Sequence, residues 1–291
     1  MAKDSEKGKV REATVSGIFY PELPEELSAD LDALFAAAAP ADAGASASVV
    51  KAILSPHAGL GYSGDLAAQA WLSVAPRDVE RVVVLSPFHR AEEEGIFLTE
   101  AECFATPLGP IHVDAEANRE LLDCGTAFSF NDIPHFEEHG IEMQLPFMKK
   151  LYPEARLVPI LVSKAGTAMV KSLASALALV FREVEATTLF VISTDLSAGH
   201  DAAAIAVESD SLISLMAERN WQAILELKAK DDTAACGSSC IAAWLACQLS
   251  AGCKPHVLAR HDSAKTRQSE DERLVQYAAL AFEAPAGTGS G

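Results

Sequence analysis

Residues Val49 to Gly64 read VVKAILSPHAGLGYSG, and three signals follow one another in that short span. Val49–Leu54 is apolar and β-branched enough for a strand. Pro56 cannot donate to a strand ladder, so it stops the strand and turns the chain. A helical pattern then begins near Gly64 and runs to Val74. Between the strand and the helix stands one imidazole, His57, followed by glycines that let the backbone pass close to whatever His57 meets.

The rest of the chain repeats this pattern. Arg81–Leu85, Arg156–Val162 and Thr188–Ile192 are near-continuous apolar runs, as expected of strands covered on both faces. Val275–Phe282 predicts a further strand at an edge. Helical patterns occupy Ala115–Leu122, Ile141–Leu151, Thr167–Val184, Ala202–Ala217 and Ser238–Leu249, and Ala36–Ala47 reads as an Ala-rich helix end entering a loop. Strands alternating with helices predict a three-layer α/β/α fold with a mostly parallel central sheet. No Pro-, Gly- or Ser-rich linker divides the 291 residues, so one domain is expected over 1–291, with mobile ends at 1–9 and 284–291.

A formal charge of −18 excludes nucleic acid and anionic membrane as partners, since both need a basic surface. The most apolar region, Leu173–Val191, is interrupted by Arg182, Glu183 and Glu185 and does not read as a membrane span. The N-terminus lacks the apolar core of a secretory signal, so a cytoplasmic location is expected. The six cysteines form no CxxC pair, and reduced thiols are expected rather than a disulfide framework.

Three strands end alike: Ser55-Pro56-His57, Ser86-Pro87-Phe88-His89 and Ser193-Thr194-Asp195. Ligands of open α/β sheets bind outside the carboxyl ends of the strands, so two imidazoles and a carboxylate converge where function is expected. Cys236 precedes the apolar helix that starts at Ser238. A helix entrance favours the thiolate, the form that binds metal or attacks carbon. Cys240 falls inside that helix and is expected in the core. Glu137-Glu138-His139-Gly140-Ile141-Glu142 is dense in ionisable groups and reads as a site wall, with Glu138 or Glu142 available to cap a helix. His139 and Glu142, three apart, are expected to face one way. His112, His135, His256 and His261 receive no role.

These motifs resemble the Memo family, whose prokaryotic members are called AmmeMemoRadiSam system protein B. Arg11-Glu12-Ala13 with Gly17-Ile18-Phe19-Tyr20 is similar to the family's opening REA...GxWY, and Pro56-His57-Ala58-Gly59 with Tyr62 and Gly64 to its PHAGYxYxG. Leu85–His89 resembles LGPxH, Thr106–Gly109 matches TPLG, and Glu138–Pro146 is close to EHSIEMQLP. Ser193–Ser197 resembles SSDxS, Cys236-Gly237 falls at the family's CG, and Tyr277-Ala278-Ala279 fits its closing YAA. The resemblance implies a fold like that of LigB-type class III extradiol dioxygenases. It also implies a metal held by His57, His89 and Cys236 with Asp195 beside it. Two imidazoles and a thiolate suit iron(II), copper or zinc. Many members carry a histidine three residues after the aspartate. Ala198 stands there in this chain, and His200 is the nearest imidazole. The prokaryotic members are associated with AMMECR1-like and radical SAM proteins, which are the partners the resemblance implies.

Three readings result. In the first, the metal site serves a redox enzyme acting on a small molecule, with Asp195 orienting a ligand and His139 or His200 moving protons. In the second, the same pocket binds a metal or a peptide without catalysis. In the third, Cys236 is the nucleophile of a hydrolase, with His57 or His89 as base and Asp195 orienting it.

Overall fold

The four central apolar runs are neighbours in space. In the computed structural model, which describes residues 8–38, 48–74, 77–90, 94–163, 165–230, 234–266 and 273–285, Ser48–Ser55, Thr188–Ser193, Arg81–Pro87 and Arg156–Ser163 lie side by side and parallel. Their register is level. Leu54 pairs with Ile192, Ile192 with Leu85, and Leu85 with Ile160. The carboxyl ends of these strands therefore open onto one edge.

Alternate side chains of each strand enter opposite cores, the period of two that a pleated strand imposes. Ile53, Val84, Val191 and Leu161 pack with Leu31, Leu66, Trp71 and Phe147 on one face. Leu54, Leu85, Ile192 and Ile160 pack with Leu177, Phe181, Ile241 and Trp244 on the other. The first face is covered by the helices Pro24–Ala38, Leu60–Leu72 and Leu145–Leu151, and the second by Ala115–Asp123, Thr167–Phe181 and Ser238–Ala246. These are the three layers expected.

The flanks make the sheet mixed. Gly95–Leu98 runs antiparallel to Arg156–Ser163 and parallel to Phe128–Phe130. Leu274–Pro285 runs antiparallel to Ser48–Ser55, with Leu280 opposite Leu54. This last strand is not at an edge as its sequence suggested, because Lys254–Asp262 pairs along its other side. The covering strand has no buried residue and carries Lys254, Arg260 and Asp262, the charged character of an edge.

Other expectations shift in detail. The helix after His57 begins at Leu60, before Gly64. Gly59 and Gly64 serve packing and not the site. A Cβ on Gly64 would come within 3.1 Å of Leu34, and one on Gly59 within 3.3 Å of the Phe19 carbonyl. Ile141–Leu151 divides into a 3₁₀ turn, Glu142–Gln144, and the helix Leu145–Leu151, whose Pro146 sits in the first turn, where a missing N–H costs nothing. Thr167–Phe181 passes into a 3₁₀ turn at Arg182, and Ser238–Ala246 stops before Leu249. Helices at Asp132–Glu137 and Trp221–Lys230 were not anticipated. Ala36–Ala38 close a helix, while 39–47 lie outside the described residues, as do 1–7 and 286–291 of the ends expected to be mobile. Ala284 and Pro285 complete the last strand. Among the described residues no helix is long and apolar enough to cross a membrane.

Candidate metal centre

His57, His89 and Asp195 are held at the sheet edge by the backbone that follows their strands. Beyond Ser55 the chain is pinned by Thr194 N–H donating to the Ser55 carbonyl at 3.0 Å. His57 N–H then donates to Asp195 Oδ1 at 3.0 Å, which joins the first strand end to the fourth. Beyond Pro87, Phe88 N–H donates to Val162 O. Cys236 is brought in by Thr194, whose hydroxyl accepts from Gly237 N–H at 2.8 Å and lies 3.3 Å from Cys236 Sγ. A Cβ on Gly237 would come within 2.5 Å of Thr194 Cβ, so only glycine permits this approach.

His57, His89 and Cys236 form a cup. One ligand atom from each lies within 4.8 Å of the other two, and Cys236 Sγ is 3.3 Å from His57 Nε2. His139 completes a triangle of imidazoles, with ring centroids 5.2 Å from both His57 and His89. Phe19 packs edge-on against it at 5.1 Å. The cup opens on a cavity of about 970 Å³. Phe88, Val162, Leu196, Leu225 and Val275 give the cavity an apolar wall, and Asp195 and His139 share its floor with the cup.

The charges are strongly coupled. Burial opposes ionisation of Cys236, but the His57 and His89 imidazoles outweigh it and hold the thiol well below its usual range. Burial likewise opposes charge on both histidines. The Cys236 thiolate and Asp195 raise His57, and Cys236 and Glu138 raise His89 to about 10. Burial pushes Asp195 up to about 6. Burial, helped by the neighbouring His57 and His89 charges, lowers His139 to about 4, so it is neutral near pH 7.

The two cup histidines have their Nδ1 atoms engaged elsewhere. His57 Nδ1 lies 3.1 Å from Ser193 Oγ, and His89 Nδ1 lies 2.8 Å from Glu138 Oε2. The Nε2 atoms are left for the cup, which is the outer-shell arrangement that metal-binding histidines require. His89, Glu138 and His139 form a second donor-rich group. There, however, the Glu138 oxygens already accept from the backbone N–H of His89, His139 and Gly140 as well as from the His89 ring. This carboxylate acts as a clamp.

Asp195 thus stands beside the cup and lines the cavity. His200 is exposed and does not line it, whereas Ala198 does. Ala198 and Gly199 form a short strand against Val275 and Leu274, which holds the chain at that point. Glu142 does not share a side with His139. It turns away to Arg11, Tyr20 and the Thr14 and Val15 amides. The six thiols are all free, and Cys240 is buried. Sequence reasoning missed Ser193, Gln144, Arg11 and Phe19. All four lay within quoted motifs, but nothing local marks them as supports of a site.

A layered α/β protein with a two-histidine, one-cysteine cup at the carboxyl edge of its parallel strands is the class that fold and geometry define. The chain belongs to the Memo family: the family model described as Memo-like protein matches residues 11–281. An Aeropyrum pernix relative described as a MEMO1 family protein is 30% identical over 94% of this chain and 99% of its own length. Protein MEMO1 of Xenopus laevis is 32% identical over 66% of this chain and 63% of its own. Among solved structures, an uncharacterized protein from Escherichia coli K12 matches with a TM-score of 0.47 and 12% identity, over 79% of this chain and 98% of that one.

Proposed function

We propose that the protein binds one transition-metal ion through His57 Nε2, His89 Nε2 and Cys236 Sγ, and uses it as a metal-dependent redox enzyme on a small molecule held in the adjoining cavity. The observation that carries this reading is the convergence of the three donors within 4.8 Å at the floor of a cavity of about 970 Å³. That volume suits small-molecule sites, which span roughly 300–1,000 Å³. Iron(II), copper and zinc all accept such donors, and the thiolate favours the softer members of that set. Bound there, the ion would supply Lewis acidity or an electron to the ligand. The protein's own groups do the rest. Asp195 holds or releases a proton near neutrality, and neutral His139 is the imidazole placed to accept one. His200 is not so placed. The apolar wall excludes water from the ligand.

Metal analysis of anaerobically purified protein tests this. Near-stoichiometric metal is expected in the wild type and its loss in His57→Ala and Cys236→Ser. Retention of metal by both variants would overturn the assignment. Protein that holds metal but transforms neither oxygen nor an aromatic or peptide substrate belongs to the binding class.

One observation favours the hydrolase reading, the Cys236 to His57 contact of 3.3 Å, in which each group shifts the other toward its charged form. Against it, Asp195 reaches the His57 backbone and not its ring, so the orienting carboxylate of a triad is missing from the ring.

A further inference from the structure

His57 has two ring nitrogens, and only Nε2 faces Cys236. Nδ1 faces Ser193 Oγ, a hydroxyl that can donate or accept. The surroundings of Ser193 remove that freedom. Its single hydrogen is donated to the Gly140 carbonyl at 2.7 Å, because a carbonyl can only accept. Gln144 Nε2 donates to the same hydroxyl at 3.0 Å. The orientation of that amide is fixed at both ends. Nε2 also donates to the Pro56 carbonyl at 3.0 Å, and Oε1 accepts from the Trp71 indole N–H, which can only donate, at 3.1 Å. Ser193 therefore has nothing left to give His57, and can only accept from it.

We infer that Ser193, oriented by Gln144 and Trp71, selects the nitrogen through which His57 serves the metal: Nδ1 keeps its hydrogen, and Nε2 alone exchanges a proton for the ion. Trp71, Gln144 and Ser193 are fully buried and do not line the cavity, so they are positioning residues and not catalytic ones. The inference rests on the metal reading above and deepens it. It also makes the two histidine ligands unequal. A carboxylate behind His89 raises the basicity of that ring, whereas a neutral hydroxyl behind His57 does so much less. One ligand is electron-rich and the other is merely oriented.

The test has two parts. In metal-free Cys236→Ser protein, which removes the thiolate partner, long-range proton–nitrogen spectra of ¹⁵N-histidine-labelled protein report the His57 tautomer at a pH above its titration. The Nδ1–H form is expected, and adding Ser193→Ala should abolish that preference. In otherwise wild-type protein, Ser193→Ala should weaken zinc(II) binding by about 10- to 100-fold. Gln144→Met leaves the Ser193 to Gly140 bond in place and should weaken it less. An Nε2–H tautomer at His57, or unchanged zinc affinity in Ser193→Ala, would overturn the inference. The tautomer is measured without any Ser193 variant, so the inference stays open to refutation even where Ser193→Ala does not fold. A wild type that binds no zinc, iron or copper sinks the metal reading alone, and the tautomer still decides this one.

Discussion

Glu138 grips His89 twice with one oxygen: Oε2 accepts from the His89 backbone N–H and lies against its ring Nδ1, both at 2.8 Å. The same carboxylate holds the turn at His139 and Gly140 through Oε1. Burial opposes its charge, yet the His89 contacts keep its pKa down at about 2. Glu138→Gln keeps the shape but removes the charge and one acceptor. Metal affinity is expected to fall by about 10- to 100-fold, as for other outer-shell partners of a ligating histidine. Competition against a chromophoric zinc chelator measures this, and an unaltered constant would deny Glu138 the role.

Gly140 is, with Gly237, a crowded glycine of the site. A Cβ there would overlap Ser86 Oγ and come to 3.0 Å from His57 Nδ1. Gly140→Ala should displace His57, break the Ser193 hydrogen bond to the Gly140 carbonyl and lower metal occupancy. Gly61→Ala is the control, because a Cβ at Gly61 meets nothing within 4 Å. Equal metal content in the two variants would contradict the crowding argument.

The thiols should separate by reactivity. Cys236 is held as thiolate by its two imidazoles, whereas burial raises Cys103, Cys124, Cys240, Cys247 and Cys253. Iodoacetamide at pH 7, followed by peptide mass spectrometry, should modify Cys236 first, and added zinc should protect it. Faster alkylation of the part-exposed Cys103 or Cys124 would be the contrary result.

Arg11 and Glu142 make an ion pair inside the molecule, both essentially without solvent contact. Arg11 also donates to the His135 and Glu138 carbonyls, at 2.8 and 2.9 Å, and Glu142 accepts from Tyr20 OH at 2.7 Å. Glu142→Gln leaves the guanidinium buried without a counter-charge. A loss of about 3–5 kcal/mol is expected in urea unfolding. A loss below about 1 kcal/mol would show that water or another acceptor takes over.

Acid should destabilise the fold in two overlapping windows. Burial lowers both His135 and His139 from 6.5 to about 4, so between those values the unfolded chain takes up two protons that the folded chain refuses, while Asp195, raised by burial to about 6, offsets only part of this. Although burial opposes it, Arg11 holds Glu142 below its ordinary 4.5. Its contribution is therefore complete above that value and is lost as pH falls through the lower folded one. Stability should fall with pH from about 6.5 downward. His135→Gln should flatten the upper part of the curve. Urea midpoints that rise on acidification across this range would refute the assignment.

The sequence made the site residues legible because each follows an obvious signal. His57, His89 and Asp195 end apolar runs, and Cys236 enters an apolar helix. It could not reveal their supports. Ser193 reads as one more strand residue until Gly140 and Gln144 are seen against it. Glu142 reads as a helix cap because its true partner, Arg11, lies 131 residues earlier in the chain. The last strand was misplaced for a related reason. Its cover, Lys254–Asp262, reads as strand-like between His256 and His261, but nothing local says which strand it pairs with, so Leu274–Pro285 looked unprotected.

That last strand has a consequence for biosynthesis. Ser48–Ser55, which delivers His57, leaves the ribosome early, but its outer edge is sealed only by Leu274–Pro285. Throughout most of translation the nascent sheet therefore displays a raw hydrogen-bonding edge on the strand that carries His57, a template on which another nascent chain can pair. The half-made protein is the vulnerable form, and a chain stopped before residue 274 would keep that edge for life.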